Sequence, residues 1–142
     1  MNPIRQILQL KGDFVWTITP NESVFEALRL MADKDIGALL VMQEEKIVGI
    51  LSERDYARKV VLLGKSSRET LVSEIMSSPV ITIHPDQTVE EAMETMTLKH
   101  FRHLPVVEDD RLVGMISIGD VVRDIIYRQR EKIKEMSERI RE

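Results

Sequence analysis

The order of apolar and polar positions is the same in two successive stretches of the chain. Each stretch opens with a short β-rich run, residues 15–18 or 80–83, and a proline follows two residues after each run. The next apolar positions are Val24, Ala27, Leu28 and Met31 in the first stretch, and Val89, Ala92, Met93 and Met96 in the second. Their helical spacing predicts one amphipathic helix per stretch.

Both predicted helices begin with the same short motif. Ser23 precedes Glu26 by three positions, and Thr88 precedes Glu91 in the same way. A hydroxyl and a carboxylate at this spacing form a capping box, in which both side chains bind free backbone N–H groups at a helix start. We therefore expect the helices to start at these motifs.

Two apolar runs separated by a polar stretch follow each predicted helix. In the first stretch the runs are residues 38–42 and 47–51, and in the second they are residues 104–107 and 112–116. This arrangement predicts a β-hairpin. A second helix then begins near Ser52 or Ser117. Each stretch is thus β-α-β-β-α, and the predicted class is α+β.

The two stretches are copies of one another. Moving residues 15–56 forward by 65 positions (85 − 20 = 65, from the two matching prolines) aligns them with residues 80–121 without a gap. At 142 residues the chain is about one average domain long, so the two copies should share one core. We place the first repeat, with an N-terminal lead-in helix, at residues 1–66 and the second at residues 67–142.

A short helical segment precedes each copy. Residues 72–76 have the pattern of a helical turn, and residues 4–8 resemble them. We expect helical lead-ins before both copies, with a slightly longer loop at residues 11–14 in the first.

The last predicted helix extends beyond its counterpart, from about Asp120 to Glu142. Its apolar seam steps by 4, 3, 4, 3 and 4 residues through Val122, Ile126, Gln129, Ile133, Met136 and Ile140. That spacing is the heptad seam of a coiled coil, and it predicts self-association of the chain. The alternative is a solvated helix that only covers the core.

Composition and charge narrow the possible functions. The chain has no cysteine, which removes disulfides, thiolate chemistry and sulfur-based zinc sites. A net charge of −4 argues against a general nucleic-acid partner. The apolar runs are too short for a membrane span and the start lacks the pattern of a signal peptide, so we expect no membrane association and a cytoplasmic location.

The ends of the two copies share a motif with a known family. Residues 49–55 (GILSERD) and 114–120 (GMISIGD) both read Gly-x-x-Ser-x-x-Asp, and residues 101–107 (FRHLPVV) supply the hairpin strand. Together with the duplicated order, these motifs closely resemble the CBS-domain family, named after cystathionine β-synthase. The resemblance covers nearly the whole chain.

The resemblance implies a CBS pair in which the two copies pack sheet to sheet about a pseudo-twofold axis, with two candidate ligand clefts. Such pairs often bind adenosine-containing ligands such as AMP, ADP, ATP, NAD or S-adenosylmethionine, and they commonly form homodimers. We therefore expect an adenine nucleotide as ligand and no required cofactor.

The repeated serine and aspartate have two interpretations. Ser52 and Asp55, like Ser117 and Asp120, stand three apart at a strand-to-helix junction, so they can form another capping box without any ligand. Alternatively, the carboxylate accepts hydrogen bonds from ribose hydroxyls while the serine and the helix N-terminus bind a phosphate. The family resemblance favours ligand binding.

The two copies differ where charge matters. The first has Gly37 and Ala38 where the second has Arg102 and His103, which lie where the resemblance places phosphate-contacting residues. Conversely, the first copy has Arg54 where the second has Gly119. This asymmetry predicts two unequal sites. The resemblance places the adenine near Thr17, Ile18, Gly37 and Ala38, or near Thr82, Ile83, Arg102 and His103.

Other chemistry has little support in the sequence. His100 and His103 have the spacing of a metal motif, but a loop entering a strand and the lack of a third ligand argue against a metal site. No catalytic motif is present, so we do not expect an enzyme. The sequence predicts a regulatory nucleotide sensor that signals through dimer geometry or an unidentified partner protein. The alternative is a ligand-independent interaction scaffold.

Overall fold

The computed structural model describes residues 2–141, which form two compact units. The segment up to Phe14 and the segment from Thr82 onward together form unit 1, and Val15–Ile81 forms unit 2. The mixed helix and strand content confirms the predicted α+β class. The predicted repeat boundary at residue 66 follows the duplication of the sequence rather than these units, and it stays a prediction.

The elements follow the predicted order, except that the first strand predicted for the second repeat is not among them. In chain order they are α1 (Ile4–Lys11), β1 (Thr17–Ile18), α2 (Val24–Lys34), β2 (Ala38–Gln43), β3 (Lys46–Ser52), α3 (Glu53–Tyr56), a π-helical turn (Ala57–Val61), α4 (Val72–Ile75), α5 (Val89–Lys99), β4 (His103–Glu108), β5 (Arg111–Ser117) and α6 (Ile118–Arg141).

Unit 2 contains a three-stranded sheet in the order β1-β2-β3. Strand β1 runs parallel to β2, and β2 and β3 form the predicted antiparallel hairpin. Three of the four apolar side chains predicted for α2 are buried against this sheet, together with two from α4, and the fourth, Leu28, is partly buried. The core residues are Val24, Ala27, Met31, Leu39, Val41, Leu51, Val60, Val72 and Ile75.

The sheet of unit 1 lacks the counterpart of β1. Strands β4 and β5 pair as predicted, but the predicted strand at residues 80–83 is reduced to one isolated parallel bridge between Ile83 and Val106. In unit 2 the N–H of Leu40 donates to the carbonyl of Trp16. The position equivalent to Leu40 is Pro105, which has no N–H to donate, so the second copy cannot extend this pairing.

Both hairpins turn through two acidic residues with left-handed backbone. Glu44 and Glu45 have φ values of 50° and 70°, and Asp109 and Asp110 have φ values of 52° and 60°. Positive φ at both central residues is the type I′ turn, whose twist matches that of the flanking strands. These turns confirm the predicted hairpins.

The predicted N-terminal caps form in part. Ser23 Oγ accepts a hydrogen bond from the Glu26 N–H, and Thr88 Oγ1 accepts one from the Glu91 N–H. The Glu91 carboxylate binds the side chain of Gln87 instead of completing the predicted box. The hydroxyl halves therefore start α2 and α5 at the predicted residues.

Each lead-in helix packs in the unit that contains the other repeat. The Ile4 N–H at the start of α1 donates to Gln87 O at 2.8 Å, and the Val72 N–H at the start of α4 donates to Glu22 O at 2.8 Å. The helices are therefore equivalent at an offset of 68 (72 − 4 = 68), three more than the offset of the repeats. This result confirms both predicted lead-ins and the longer first loop.

A repeated glycine lets each lead-in helix approach the sheet closely. A Cβ atom built on Gly49 would lie 2.5 Å from Met76 Sδ, and one built on Gly114 would lie 2.6 Å from Leu8 Cδ2. Since real Cβ atoms do not approach other atoms this closely, a side chain at either position would force Met76 or Leu8, or the helix beside it, to shift.

Helix α6 is the longest element, with 24 residues, and it begins two residues earlier than predicted. The predicted end at Glu142 lies outside the described residues. All residues from 129 to 140 are exposed. Among residues 2–141, no helix is both long enough and apolar enough to cross a membrane.

Candidate functional site

The junction between β3 and α3 holds the first Ser-x-x-Asp motif. Ser52 Oγ accepts a hydrogen bond from the Asp55 N–H at 3.2 Å, and Asp55 Oδ2 accepts one from the Ser52 N–H at 2.9 Å. These two bonds make a complete capping box, because each side chain binds the backbone of the other residue. The capping box that the sequence offered as one interpretation of this motif therefore forms.

The junction between β5 and α6 repeats this geometry in unit 1. The Asp120 N–H donates to Ser117 Oγ at 3.1 Å, and the Ser117 N–H donates to Asp120 Oδ2 at 2.8 Å. Each unit thus holds a carboxylate at the N-terminus of a helix, where the helix dipole favours negative charge.

Lysine covers both carboxylates, but from different elements. Lys11 Nζ, at the end of α1, donates to Asp120 Oδ2 at 2.6 Å and to Met115 O at 2.8 Å. Lys59 Nζ lies 3.2 Å from Asp55 Oδ1 and donates to Ile75 O at 3.0 Å. In both repeats a lysine therefore pairs with the aspartate, but the two lysines are not at equivalent positions in the sequence.

Each carboxylate has one more polar neighbour. Arg123 Nη2 donates to Asp120 Oδ1 at 2.8 Å, and Ser77 Oγ donates to Asp55 Oδ1 at 3.3 Å. The side chain of Asp120 is 7% exposed, whereas that of Arg123 is 73% exposed. The junction of unit 1 therefore holds a buried anion beside two cations, one of which reaches into solvent.

Burial and hydrogen bonding act in opposite directions on Asp120. Burial alone raises the pKa of the carboxyl group, but hydrogen bonds from Lys11 and from Ser117 outweigh it and hold the pKa below its ordinary value. Asp120 is therefore ionised at neutral pH.

His103 lies beside the same junction. Burial lowers its pKa, and the positive charges of Lys11 and Arg102 lower it further, against an opposing effect of Asp120. The imidazole is therefore neutral at pH 7, and it contributes hydrogen-bonding atoms rather than charge.

The predicted site residues of unit 2 meet at one end of its strands, where β2 begins and β3 ends. Ala38 is the register partner of Ser52, and the Glu53 N–H donates to Gly37 O at 3.1 Å. Thr17 pairs with Leu40, and Ile18 pairs with Val41, so β1 lies next to the start of β2. The N-terminus of α3, with Ser52 and Asp55, lies at the same end of the strands.

The equivalent residues of unit 1 meet in the same way. His103 is the register partner of Ser117, and the Ile118 N–H donates to Arg102 O at 2.8 Å. Ile83 lies beside β4 through its bridge to Val106, and Thr82 precedes it. The structure thus brings the candidate residues of each repeat to their own Ser-x-x-Asp junction.

The two predicted arginines are both exposed. Arg54 lies in the single turn of α3, and Arg102 lies immediately before β4. Exposure leaves both guanidinium groups accessible to an anion, and their binding role stays a prediction.

The structure adds cations that the sequence interpretation missed. Arg123 and Lys59 lie three and four residues after the aspartate that they contact, which is the spacing of neighbours on a helix, so that spacing would have identified both. Lys11 carries no such signal, because it comes from the lead-in helix at the other end of the chain.

A cleft of about 400 Å³ lies next to this junction within unit 1, between α1 and α6. Both apolar and charged side chains line it: Ile7, Leu10, Lys11, Asp120, Arg123, Asp124 and Tyr127. The volume falls in the range of small-molecule sites.

A group of potential metal ligands lies elsewhere in unit 1. The ligand atoms of His84, Asp86 and Glu108 all lie within 4.8 Å of one another. Arg5 Nη2 donates to Asp86 at 2.9 Å and to Glu108 at 2.6 Å, and it lowers the pKa of Glu108. The single guanidinium group pairs with both carboxylates and offsets part of their charge, so the group is an ion-pair network in this structure.

Comparison with known protein families gives two matches along the chain. The family model described as "CBS domain" matches residues 9–62 and again residues 72–127. These matches follow the two copies recognised in the sequence.

Individual proteins are similar over most of the chain. The CBS domain-containing protein CBSX3, mitochondrial, of Arabidopsis thaliana is 37% identical over 131 residues, which are 89% of this chain and 63% of that protein. This chain therefore spans less than two thirds of that relative's length.

Solved structures share the fold. A putative signal-transduction protein with CBS domains from Burkholderia ambifaria has a TM-score of 0.86 and 46% identity, covering 89% of this chain and 95% of that one. The CBS domain pair of the protein MJ0100, in complex with 5′-methylthioadenosine and S-adenosyl-L-methionine, has a TM-score of 0.80 and 28% identity, covering 90% and 98%.

Proposed function

The chain belongs to the CBS-domain family, and from this premise we propose that it is a regulatory module that binds an adenosine-containing ligand at its strand-to-helix junctions. The observation that supports this most is the repeated junction itself. In each unit a serine hydroxyl, an aspartate carboxylate and a helix N-terminus lie beside the start of the neighbouring strand.

These groups suit the two polar parts of a nucleotide. A carboxylate accepts hydrogen bonds from ribose hydroxyls, and a helix N-terminus with nearby cations binds phosphate. In unit 1 the cations are Lys11, Arg123 and Arg102, whereas unit 2 offers Lys59 and Arg54. We expect the junction of unit 1 to prefer the ligand with more phosphates.

The adenine is proposed to lie against the adjacent strand starts. In unit 2 these are Thr17, Ile18, Gly37 and Ala38, and in unit 1 they are Thr82, Ile83, Arg102 and His103. The ligands named for MJ0100 both contain adenosine, which supports this class of ligand. AMP, ADP, ATP and NAD share the same adenosine group, so the choice among them depends on the phosphates.

The experiment is a titration calorimetry series with AMP, ADP, ATP, NAD and S-adenosylmethionine on the purified chain. We expect at least one ligand to bind and to raise the melting temperature, because a ligand at a hundredfold excess over its Kd adds about 2.7 kcal/mol to stability. Asp120→Asn and Asp55→Asn should weaken binding, with the melting temperature of each unliganded variant measured as the control for lost capping. No heat with any of the five ligands would disprove the proposal.

We also propose that the module reports its ligand through self-association. Val61 and Leu62 in unit 2 and Ile126 and Tyr127 in unit 1 are exposed apolar residues at equivalent positions (61 + 65 = 126; 62 + 65 = 127). Repeated apolar patches of this kind favour a symmetric homodimer. The predicted cytoplasmic location and the identity of any regulated protein stay predictions.

The alternative function is a ligand-independent scaffold, and the exposed end of α6 favours it. Truncation after Tyr127 removes that end. If the chain is a scaffold, the truncated chain should lose its partners and respond to no nucleotide. If it is a sensor, the nucleotide-induced rise in melting temperature should survive the truncation.

A further inference from the structure

The distal half of α6, residues 129–140, follows Arg128, which pairs with another helix of unit 1. Arg128 Nε donates to Asp124 at 2.8 Å, and Arg128 Nη2 donates to Glu90 on α5 at 3.1 Å. Beyond this residue every described side chain of the helix is exposed, including those of Ile133 (63%), Met136 (54%) and Ile140 (84%).

The apolar side chains of the distal half form a narrow seam. At about 100° per residue, Ile133, Met136 and Ile140 fall within roughly 60° of the helix circumference, and the polar Gln129 lies in the same sector. A seam this narrow is typical of two-helix coiled-coil packing, whereas a helix lying on a lipid surface needs a much wider apolar face. Residues 129–140 also contain no aromatic side chain to anchor in a membrane interface.

Basic residues lie beside this seam, and acidic residues lie away from it. In the heptad defined by Ile133 and Ile140 at a and Met136 at d, Arg130 occupies position e, while Lys132 and Arg139 occupy position g. The acidic residues of the segment lie away from the seam: Glu131 and Glu138 occupy position f, and Glu135 occupies position c. The g border of the seam is therefore basic, and the e border carries Arg130 and the neutral Ser137.

We propose that the distal half of α6 binds an acidic amphipathic helix of a partner protein. Glutamate at the partner's e and g positions would pair with Arg130, Lys132 and Arg139, since residues at these positions face each other across a coiled coil. A second copy of the same helix offers no such pairing, because its flanks are also basic. The proposal does not depend on nucleotide binding.

The test uses the full-length chain and two synthetic peptides of about three heptads, with leucine at a and d. One peptide has glutamate at e and g, and the other has lysine. Fluorescence anisotropy should show binding of the acidic peptide that weakens with added salt, and no binding of the basic peptide. Equal binding of both peptides, or no binding of the acidic one, would overturn the proposal.

Matched variants separate the seam from net charge. Lys132→Glu should weaken binding of the acidic peptide by about fivefold, since it replaces an attraction with a repulsion. Lys134→Glu makes the same change of charge at position b, outside the seam, and should leave binding within about twofold. If both variants weakened peptide binding equally, net charge rather than the position beside the seam would explain the loss, and the proposal would be overturned.

Two further results would assign the seam to another occupant. Ile133→Asp should abolish peptide binding, and Ile140→Asp, further from the folded unit, should do the same with an unchanged melting temperature. If sedimentation shows that these variants dissolve a dimer of the chain that the acidic peptide does not displace, the occupant is a second copy. If they instead abolish binding to phosphatidylserine vesicles while the peptide never binds, the occupant is a lipid surface.

Discussion

The Nζ atom of Lys11 lies 2.6 Å from the Oδ2 atom of Asp120, although 109 residues separate them in the sequence. The side chain of Asp120 is 7% exposed, so the lysine supplies the nearest compensation for a buried negative charge. This pair links the lead-in helix to the junction proposed to bind ligand.

Replacing the lysine should make the stability of unit 1 depend differently on pH. The depressed pKa of Asp120 stabilises the fold above the ordinary value of 3.8, and this contribution is lost as the pH falls through the folded pKa. Lys11→Met should therefore cost about 1 kcal/mol at pH 7, discounted for the exposure of the lysine, and less at pH 3, which lies below the ordinary pKa of 3.8. Urea unfolding at both pH values measures this difference, and an equal loss at both would contradict the ionic explanation.

His103 predicts a second dependence on pH. Its folded pKa lies below the ordinary value of 6.5, so the unfolded chain takes up this proton more readily, and stability falls as the pH drops below 6.5 towards the folded pKa. One such group contributes at most about 1.4 kcal/mol per pH unit. His103→Gln should flatten the stability profile in this window, with pH 8 as the internal reference. An unchanged slope would rule out this histidine as the cause.

The repeated glycines predict a difference between two alanine substitutions. Gly114→Ala places a Cβ atom against Leu8, which is buried, so it should cost about 1–3 kcal/mol because Leu8 or the helix that carries it must shift. Gly37→Ala is the matched control, because its Cβ atom would meet nothing within 4 Å, and it should change stability by less than about 0.5 kcal/mol. Thermal unfolding compares the two variants. Equal losses would mean that close helix approach is not the reason for Gly114.

The hairpin turns predict a stabilising change. Glu44 and Glu45 have the left-handed backbone that asparagine and glycine adopt at low cost. The double variant Glu44→Asn with Glu45→Gly should raise the free energy of unfolding by about 1 kcal/mol, and Asp109→Asn with Asp110→Gly should act similarly in unit 1. Denaturant midpoints provide the measurement. A fall in stability in both hairpins would show that the acidic residues have favourable contacts of their own.

The exchanged lead-in helices predict which unit responds to a core mutation. Ile4→Ala removes a fully buried side chain from α1 and should cost about 2–5 kcal/mol. Faster hydrogen exchange should appear first in α5, β4 and β5, whereas Val72→Ala should affect α2, β2 and β3 first. If Ile4→Ala instead loosens α2 and β2, α1 packs with its own repeat.

Much of the fold was predictable because local signals agree with it. The hydroxyls of Ser23 and Thr88 start their helices, and the two polar stretches become hairpin turns at the expected residues. The strand predicted at residues 80–83 was wrong because apolar content does not reveal that its partner strand carries Pro105. The apolar pattern of residues 80–83 carries no information about a hydrogen-bond donor that is missing from the partner strand β4.

The residues of the candidate site were predictable only where they lie close together in the sequence. The spacing of Ser117 and Asp120 correctly indicated a capping box, and ligand contact by the same residues stays a prediction. Lys11 was missed because nothing in the sequence near Asp120 indicates that the beginning of the chain returns there. Contacts between distant segments depend on packing of the whole unit, which periodicity and spacing do not encode.

The exchange of lead-in helices also sets an order for synthesis on the ribosome. Unit 2 is one continuous segment, Val15–Ile81, so all of its parts have emerged before unit 1 is complete. Helix α1 is made before unit 2, yet Ile4 and Ile7 can be buried only after β4 and β5 have been translated. These apolar side chains therefore stay exposed while the whole of unit 2 is synthesised, which makes α1 a natural binding segment for chaperones.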